Sequence, residues 1–225
     1  MTMPGQLRVF YGGTFDPVHN GHLAIARCAR DVLATDVRLM PAADPPHRAP
    51  PGAGVAHRAT MLDLAVTGEP GLLVDRRELE RSSPSWTIDT LREVRAGLGD
   101  ATPVALLVGA DSMRDLPQWK DWRDLFTLAH FVVAERRGSP LDANLPAALE
   151  GVVAGRWADA PDDLRAAPAG RILRLRQPLQ AGSATELRQR IARGRAWRHL
   201  VPDSVAAYID RHRLYADGDA GSGPL

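Results

Sequence analysis

The run Val104-Ala105-Leu106-Leu107-Val108, followed at once by Gly109, constrains the fold more than any other stretch of the chain. Five apolar residues without alternation make a strand with no face to offer to water, so it must be buried on both sides. Shorter strand-like runs recur at residues 7–11, 36–40, 72–75, 131–134 and 171–175. Helical patterns lie among them. One starts at Asn20 or Gly21 and reaches Ala34, turning Leu23, Ala26, Val32 and Leu33 toward a core; others cover residues 57–67 and 87–98. Two further helices, over 185–193 and 204–212, close the chain. Strands alternating with helices predict right-handed crossovers and a Rossmann-like α/β fold, a doubly wound, mostly parallel sheet with helices on both faces and a small C-terminal helical segment. Ligands of such sheets sit at the carboxyl ends of strands, where Gly12 and Gly109 fall.

Length and composition fit that expectation. The 225 residues are 44% hydrophobic and 24% charged, enough to bury a core. They are expected to form one domain over 1–215, with its helical part at about 183–215 and a flexible tail over 216–225. Twenty-eight basic residues face 27 acidic ones, a net charge of +1, so the surface as a whole gives nucleic acid no reason to bind. Anion chemistry has to be local. A single cysteine, Cys28, excludes an internal disulfide and a thiolate zinc cage, and in its alanine-rich surroundings it is expected to be a small buried residue. No apolar run approaches the ~18–20 residues that span a bilayer, and the first residues lack a signal-like apolar core. The expectation is a cytoplasmic protein without membrane attachment. Residues 41–54, with five prolines and two glycines, are expected to form a mobile surface loop.

The first strand runs into Gly12-Gly13-Thr14-Phe15-Asp16-Pro17-Val18-His19-Asn20-Gly21-His22. Two glycines let the backbone turn and approach a ligand without a Cβ in the way. The helix that follows offers free N–H groups and a positive dipole end, a seat for phosphate. His19 and His22 lie three residues apart, so both rings can reach one face, and Gly21 between them lets a bulky group come close. Two imidazole donors so placed suit a phosphate whose negative charge grows during reaction. The same pair would also suit zinc, although no third ligand stands at metal spacing, or it is simply two histidines at a helix start. A dinucleotide-binding glycine triplet, a phosphate loop ending in Gly-Lys-Ser/Thr and a Gly-x-Ser-x-Gly turn are all missing from the sequence.

A second constellation, Ser183-Ala184-Thr185-Glu186-Leu187-Arg188, opens the helix expected at 185–193. Ser183 as N-cap with Glu186 three residues on makes a capping box, which alone accounts for both. It accounts less well for Thr185 and Arg188 one turn apart, where hydroxyl, guanidinium and helix N-terminus can converge on one polyphosphate.

Together the two stretches resemble the signatures of the adenylyltransferases among the nucleotidyltransferases with an H-x-G-H motif: Gly-Gly-Thr-Phe-Asp-Pro-x-His-x-Gly-His and Ser-x-Thr-x-x-Arg. Further stretches narrow the resemblance to the nicotinate-nucleotide adenylyltransferase family and spread it over nearly the whole chain. Pro45-Pro46-His47-Arg48 is similar to that family's Pro-Pro-His-Lys/Arg loop, and Pro84-Ser85-Trp86-Thr87 to its Pro-Ser-Tyr-Thr element. Gly109-Ala110-Asp111-Ser112, then Trp119 and Trp122, resembles its Gly-x-Asp-Ser segment and stacking tryptophan. Glu135-Arg136-Arg137-Gly138 resembles an Arg-Pro-Gly element with Arg137 in place of proline. Gly182, where isoleucine is usual, and an alanine-rich loop over 49–56 are the other departures; the first would loosen an adenine pocket.

The resemblance implies transfer of adenylate from ATP to nicotinate mononucleotide, with Mg2+ accompanying the ATP and no side chain acting as nucleophile. It assigns ATP binding to Gly12, Gly13, Thr14, Phe15, Gly21, Arg48, Gly109, Ser183 and Thr185, with His19, His22 and Arg188 carrying the catalysis. The mononucleotide falls to Thr87, Asp111, Trp119 and Arg136. Each of the last three has another reading: Asp111 as a helix N-cap, Trp119 as a core side chain beneath a short helix, Arg136 as half of a solvated pair with Arg137. Rival functions are an adenylyltransferase for another phosphorylated acceptor such as phosphopantetheine, and a nucleotide sensor that binds without turnover. A class I aminoacyl-tRNA synthetase is a third, disfavoured because the chain has no Lys-Met-Ser-Lys-Ser element and no basic surface.

Overall fold

The computed structural model describes residues 6–43, 51–81, 83–134, 145–176 and 182–216. Six strands, β1 (Arg8–Gly13), β2 (Val37–Pro41), β3 (Leu72–Val74), β4 (Val104–Gly109), β5 (His130–Ala134) and β6 (Ile172–Leu175), form one sheet in the order β3-β2-β1-β4-β5-β6. Every neighbouring pair is parallel. The helices are α1 (Asn20–Leu33), α2 (Val55–Val66), α3 (Thr87–Leu98), the short α4 (Ala110–Arg114) and α5 (Leu125–Leu128), α6 (Ala147–Val153), α7 (Ala184–Ala192) and α8 (Asp203–His212). The chain winds outward from β1 to β3, then returns to lay β4 on the other side of β1. That reversal opens a crevice beyond the carboxyl ends of β1 and β4. Among the described residues no helix is long and apolar enough to cross a membrane.

The central strand behaves as its composition requires. All five apolar residues of β4 are buried, and they alternate between two cores. Ala105 and Leu107 join Val9, Tyr11, the inner stripe of α1 and, from the C-terminal helices, Leu187, Val205 and Ile209. Val104, Leu106 and Val108 join Phe10, Ile88 and Leu91 of α3, and Phe126. One strand thus nails two helical layers together.

Several boundaries differ from the sequence expectation. β1 does not stop at the glycines: Gly12 and Gly13 pair with Met40 and Pro41, because the neighbouring strand runs that far. Val32 is 45% exposed, whereas Leu23, Ala26, Ala29 and Leu33 are buried. Val32 falls at the flank of that stripe rather than at its centre near Ala29 and Leu33. Helix α2 begins at Val55, two residues before 57. Part of the expected surface loop is tucked in, with Ala53 only 4% exposed and its backbone N–H bonded to Asp16. Residues 44–50, the middle of that loop, lie outside the described residues. Cys28 is half-buried against the first core, its thiol 3.7 Å from the Arg176 carbonyl oxygen. Helices α4, α5 and α6 are too short for a periodicity to show in the sequence.

Candidate active site

A cavity of about 390 Å3 fills the crevice where the sheet reverses. Its floor is Gly12 and Gly13 at the end of β1 and Gly109 at the end of β4; Thr14, His22, Ser183, Thr185 and Arg188 wall one end, and Ser85, Thr87, Asp111 and Trp119 the other. A Cβ on Gly109 would meet no protein atom within 4 Å, so its only consequence is lost cavity. Gly13 has a different reason. A Cβ there would lie 3.0 Å from the ring of Phe15, which is 1% exposed with φ +49° and packs edge-on against Tyr11 and His22 at 5.6 and 5.1 Å between centroids.

The two histidines begin α1 as a reciprocal pair. Gly21 N–H donates to His19 Nδ1 at 3.1 Å, and His19 N–H donates to His22 Nδ1 at 3.3 Å. Two of the orphan N–H groups of a helix start are therefore satisfied by imidazoles rather than by a serine or aspartate. Because each ring accepts at Nδ1, the proton of the neutral imidazole resides on Nε2. The rings stack at 3.7 Å and 27°. His22 lines the cavity; His19, 5% exposed, stands behind it with its Nε2 buried. Gly21 is absent from the described cavity wall, and its amide serves the His19 cap.

Arg58, which sequence reasoning passed over, holds the backbone around this turn. It is 1% exposed and donates to four carbonyls: Thr14 at 2.7 Å, Ala42 at 2.7 Å, Ala43 at 2.9 Å and Ala53 at 3.1 Å. Burial pushes its pKa down, while the Asp16 charge pushes the other way. One guanidinium thus fastens the ends of β1 and β2 and the loop before α2 to each other. Asp16, 4% exposed, is its acidic counterpart, accepting from Gly52 N–H at 2.7 Å and Ala53 N–H at 3.1 Å. A signal for Arg58 did exist: it falls on the stripe of α2 that also buries Met61, Leu62 and Ala65.

Ser183 caps α7, its hydroxyl accepting from Glu186 N–H at 3.1 Å. The capping box is only half made, since the Glu186 carboxylate turns to Arg190, 2.8 Å away. Arg188 donates to the Asp16 carbonyl at 2.6 Å and reaches Thr185 Oγ1 at 3.4 Å, so the predicted hydroxyl and guanidinium do converge at the helix start. Gly182 has φ +107°, a backbone conformation that favours glycine over isoleucine.

At the opposite end, Thr87 is the first residue of α3 and borders the cavity. Asp111 borders it too; Gly109 is the N-cap of α4, and Asp111 sits in the first turn paired with Arg114, so the N-cap reading is set aside. Trp119 is half-buried, on the cavity wall and against the second core, while Trp122, 8% exposed, is the core tryptophan. Glu78, also missed from the sequence, lines the same end of the cavity. It is 5% exposed, accepts from the Thr90 hydroxyl at 2.7 Å and is hydrogen-bonded to Ser85, whose own hydroxyl accepts from Ala43 N–H at 3.1 Å. Burial pushes the Glu78 carboxyl pKa up. Lys120, the chain's one lysine, pairs with Asp89 at 3.0 Å and lies over Trp86 at 5.7 Å. Arg48, Arg136 and Arg137 lie outside the described residues.

Known proteins resemble this chain in both sequence and architecture. The cytidylyltransferase-like family model matches residues 10–190. A Stenotrophomonas maltophilia protein named "Probable nicotinate-nucleotide adenylyltransferase" is 58% identical over 93% of this chain and 96% of its own. A Xylella fastidiosa protein of the same name is 46% identical over 95% and 98%. In architecture, Plasmodium falciparum nicotinic acid mononucleotide adenylyltransferase, solved in complex with NaAD, superposes with a TM-score of 0.71 over 93% of this chain and 97% of that one, at 15% identity. That likeness speaks for the Rossmann-like fold; the sequence matches speak for descent. On their strength the chain belongs to the nicotinate-nucleotide adenylyltransferases, within the cytidylyltransferase-like family of nucleotidyltransferases.

Proposed function

We propose that this enzyme joins ATP and nicotinate mononucleotide into nicotinate adenine dinucleotide and pyrophosphate, a step of NAD synthesis, by direct in-line attack. The observation that carries the reading is the histidine pair, both Nδ1 atoms occupied by backbone N–H groups, which leaves Nε2–H as the donor of each ring. An adenylyl transfer needs donors that grow in value as charge builds on the α-phosphate, and little else from side chains.

The mononucleotide phosphate acts as nucleophile on the α-phosphorus, and the P–O bond to the β-phosphate breaks as pyrophosphate departs with its electron pair. Backbone N–H groups of Gly13 to Phe15 and the Thr14 hydroxyl hold the α-phosphate. His22 donates to it from the cavity wall, with His19 stacked behind. Thr185, Arg188, Ser183 and the start of α7 take the β- and γ-phosphates, and Arg48 serves to neutralise phosphate charge. Gly12 and Gly109 leave room for the nucleotide. Trp119 stacks on the pyridine ring, Thr87 and the first N–H groups of α3 receive the nicotinate carboxylate, and Asp111 and Arg136 complete the mononucleotide's polar contacts.

Among the described residues no group of three or more His, Cys, Asp or Glu side chains could hold a metal ion. Asp16, a carboxylate on the cavity wall, is engaged by Gly52, Ala53, Tyr215 and Arg188. Mg2+ would enter with the ATP, held largely by substrate oxygens and water, and would supply charge neutralisation for the departing pyrophosphate.

The test is the stereochemical course with ATP made chiral at the α-phosphorus by sulfur. A single in-line displacement predicts adenine dinucleotide product with inverted configuration; retention would mean two displacements and an enzyme-bound adenylate.

A further inference from the structure

We propose that Tyr215 and Asp16 are positioning residues for Arg188, so that the segment beyond α8 completes the triphosphate end of the cavity. The proposal rests on the reading that Arg188 meets the ATP phosphates. Tyr215 lies 199 residues from Asp16 in sequence, yet its hydroxyl donates to Asp16 Oδ1 at 2.7 Å. The other carboxylate oxygen, Oδ2, stands 3.3 Å from Arg188 Nη1 and also accepts from Gly52 N–H at 2.7 Å. Arg188 Nη1 reaches the Asp16 main-chain oxygen as well, at 2.6 Å.

A carboxylate that is 4% exposed has to satisfy its lone pairs inside the protein. Here Tyr215, Gly52, Ala53 and Arg188 share that duty. The tyrosine proton stays in place, because burial and the adjacent Asp16 charge push the phenol pKa far up. Removing that donor leaves Oδ1 short of a partner, and the guanidinium is the group able to move in and compensate. Arg188 would then be drawn toward Asp16 and away from a phosphate. The rest of Tyr215 is shaped for the same task. Its φ is +63°, costly for an aromatic residue, and its ring lies so close to Gly52 that a Cβ there would be 3.3 Å away. The ring steadies the loop whose N–H groups bind Asp16, and the hydroxyl orients the charge that orients Arg188.

The experiment is a double-mutant cycle on equilibrium ATP affinity, using Tyr215→Phe, Arg188→Ala and the pair, with mononucleotide affinity and the melting temperature of each variant alongside. Tyr215→Phe keeps the ring and loses the hydroxyl. It is expected to weaken ATP about five- to tenfold, the net scale of one intramolecular hydrogen bond, and to leave mononucleotide affinity within about twofold. In the Arg188→Ala background the same change is expected to add less than about twofold, since the route runs through Arg188. Full additivity, unchanged ATP affinity in Tyr215→Phe, or equal losses for both substrates with a fallen melting temperature would overturn the proposal. If Arg188→Ala itself leaves ATP affinity intact, the reading of the phosphate end fails, and the proposal with it.

Discussion

At the Arg188 end of the cavity, functional groups are held by buried charges bonded to backbone; at the Trp119 end they are held mainly by side chains bonded to one another, buried at Glu78, Thr90 and Ser85 and partly exposed at Lys120 and Asp89. Arg58 clamps four carbonyls and Asp16 accepts from two amides, so the turn that carries Thr14 and the histidines has little freedom before a ligand arrives. The Trp119 end relies on Glu78 with Thr90 and Ser85, and on Lys120 with Asp89. The contrast follows from the chemistry at each end. Charge develops at the reacting phosphorus, where donors that must reorganise lose much of their value. A pyridine ring needs only a flat apolar surface and a few polar contacts.

The largest effect is expected from breaking the reacting end. His22→Ala removes the wall-lining donor and is expected to lower kcat by roughly 10²- to 10³-fold, the scale of one lost oxyanion donor, with mononucleotide affinity little changed. Near-normal turnover would remove His22 from the chemistry. Breaking the other end should spare kcat. Trp119→Ala is expected to raise KM for the mononucleotide by about tenfold or more, the worth of one stacked ring, and to move KM for ATP by less than about twofold. Equal shifts in both constants would make Trp119 a core residue instead.

Smaller effects sharpen the contrast through pH. Burial raises the Glu78 pKa, so the folded protein binds that proton more tightly than the unfolded chain does. Its stabilising effect is complete below the ordinary carboxyl value of ~4.3 and is lost as pH rises through the folded value. Glu78→Gln should therefore melt higher than the parent at pH 8, with the gain shrinking toward pH 4; a constant offset would mean that charge is not the issue. The mildest effect concerns the opposite edge of the sheet, away from the cavity. His130, at the start of β5, is fully buried, accepts from Arg171 N–H at 3.0 Å and sits 2.9 Å from the Ala167 oxygen, and burial lowers its pKa. A depressed histidine contributes stability above its ordinary ~6.5 that is lost as pH falls toward the folded value. Urea midpoints at pH 7.5 and 5.5 should differ less in His130→Gln than in the parent, with kcat unaltered.

What could be read from the sequence divides along the same line. β4 was legible because a strand buried on both faces has a composition of its own, and the two signature stretches because their residues lie within one turn of each other. Arg58 reaches Thr14 across 44 residues, and Tyr215 reaches Asp16 across 199; no local spacing announces a bond that the fold alone creates. Glu78 escaped for a related reason, since a glutamate in the charged run Arg77-Glu78-Leu79-Glu80-Arg81 reads as a solvated charge until helix α3 covers it. Val32 shows the reverse error: apolar character alone placed it inward, and it lies on the exposed flank of the α1 stripe.

The account's central claim, adenylyl transfer to the acid mononucleotide, is tested most directly by pyrophosphate release with ATP and Mg2+, comparing nicotinate mononucleotide, its amide and phosphopantetheine at equal concentration. Turnover is expected with the acid form, about tenfold or more above the amide, because polar groups suited to a carboxylate are poorly matched by an amide. Equal turnover of acid and amide, or release with phosphopantetheine alone, would contradict it.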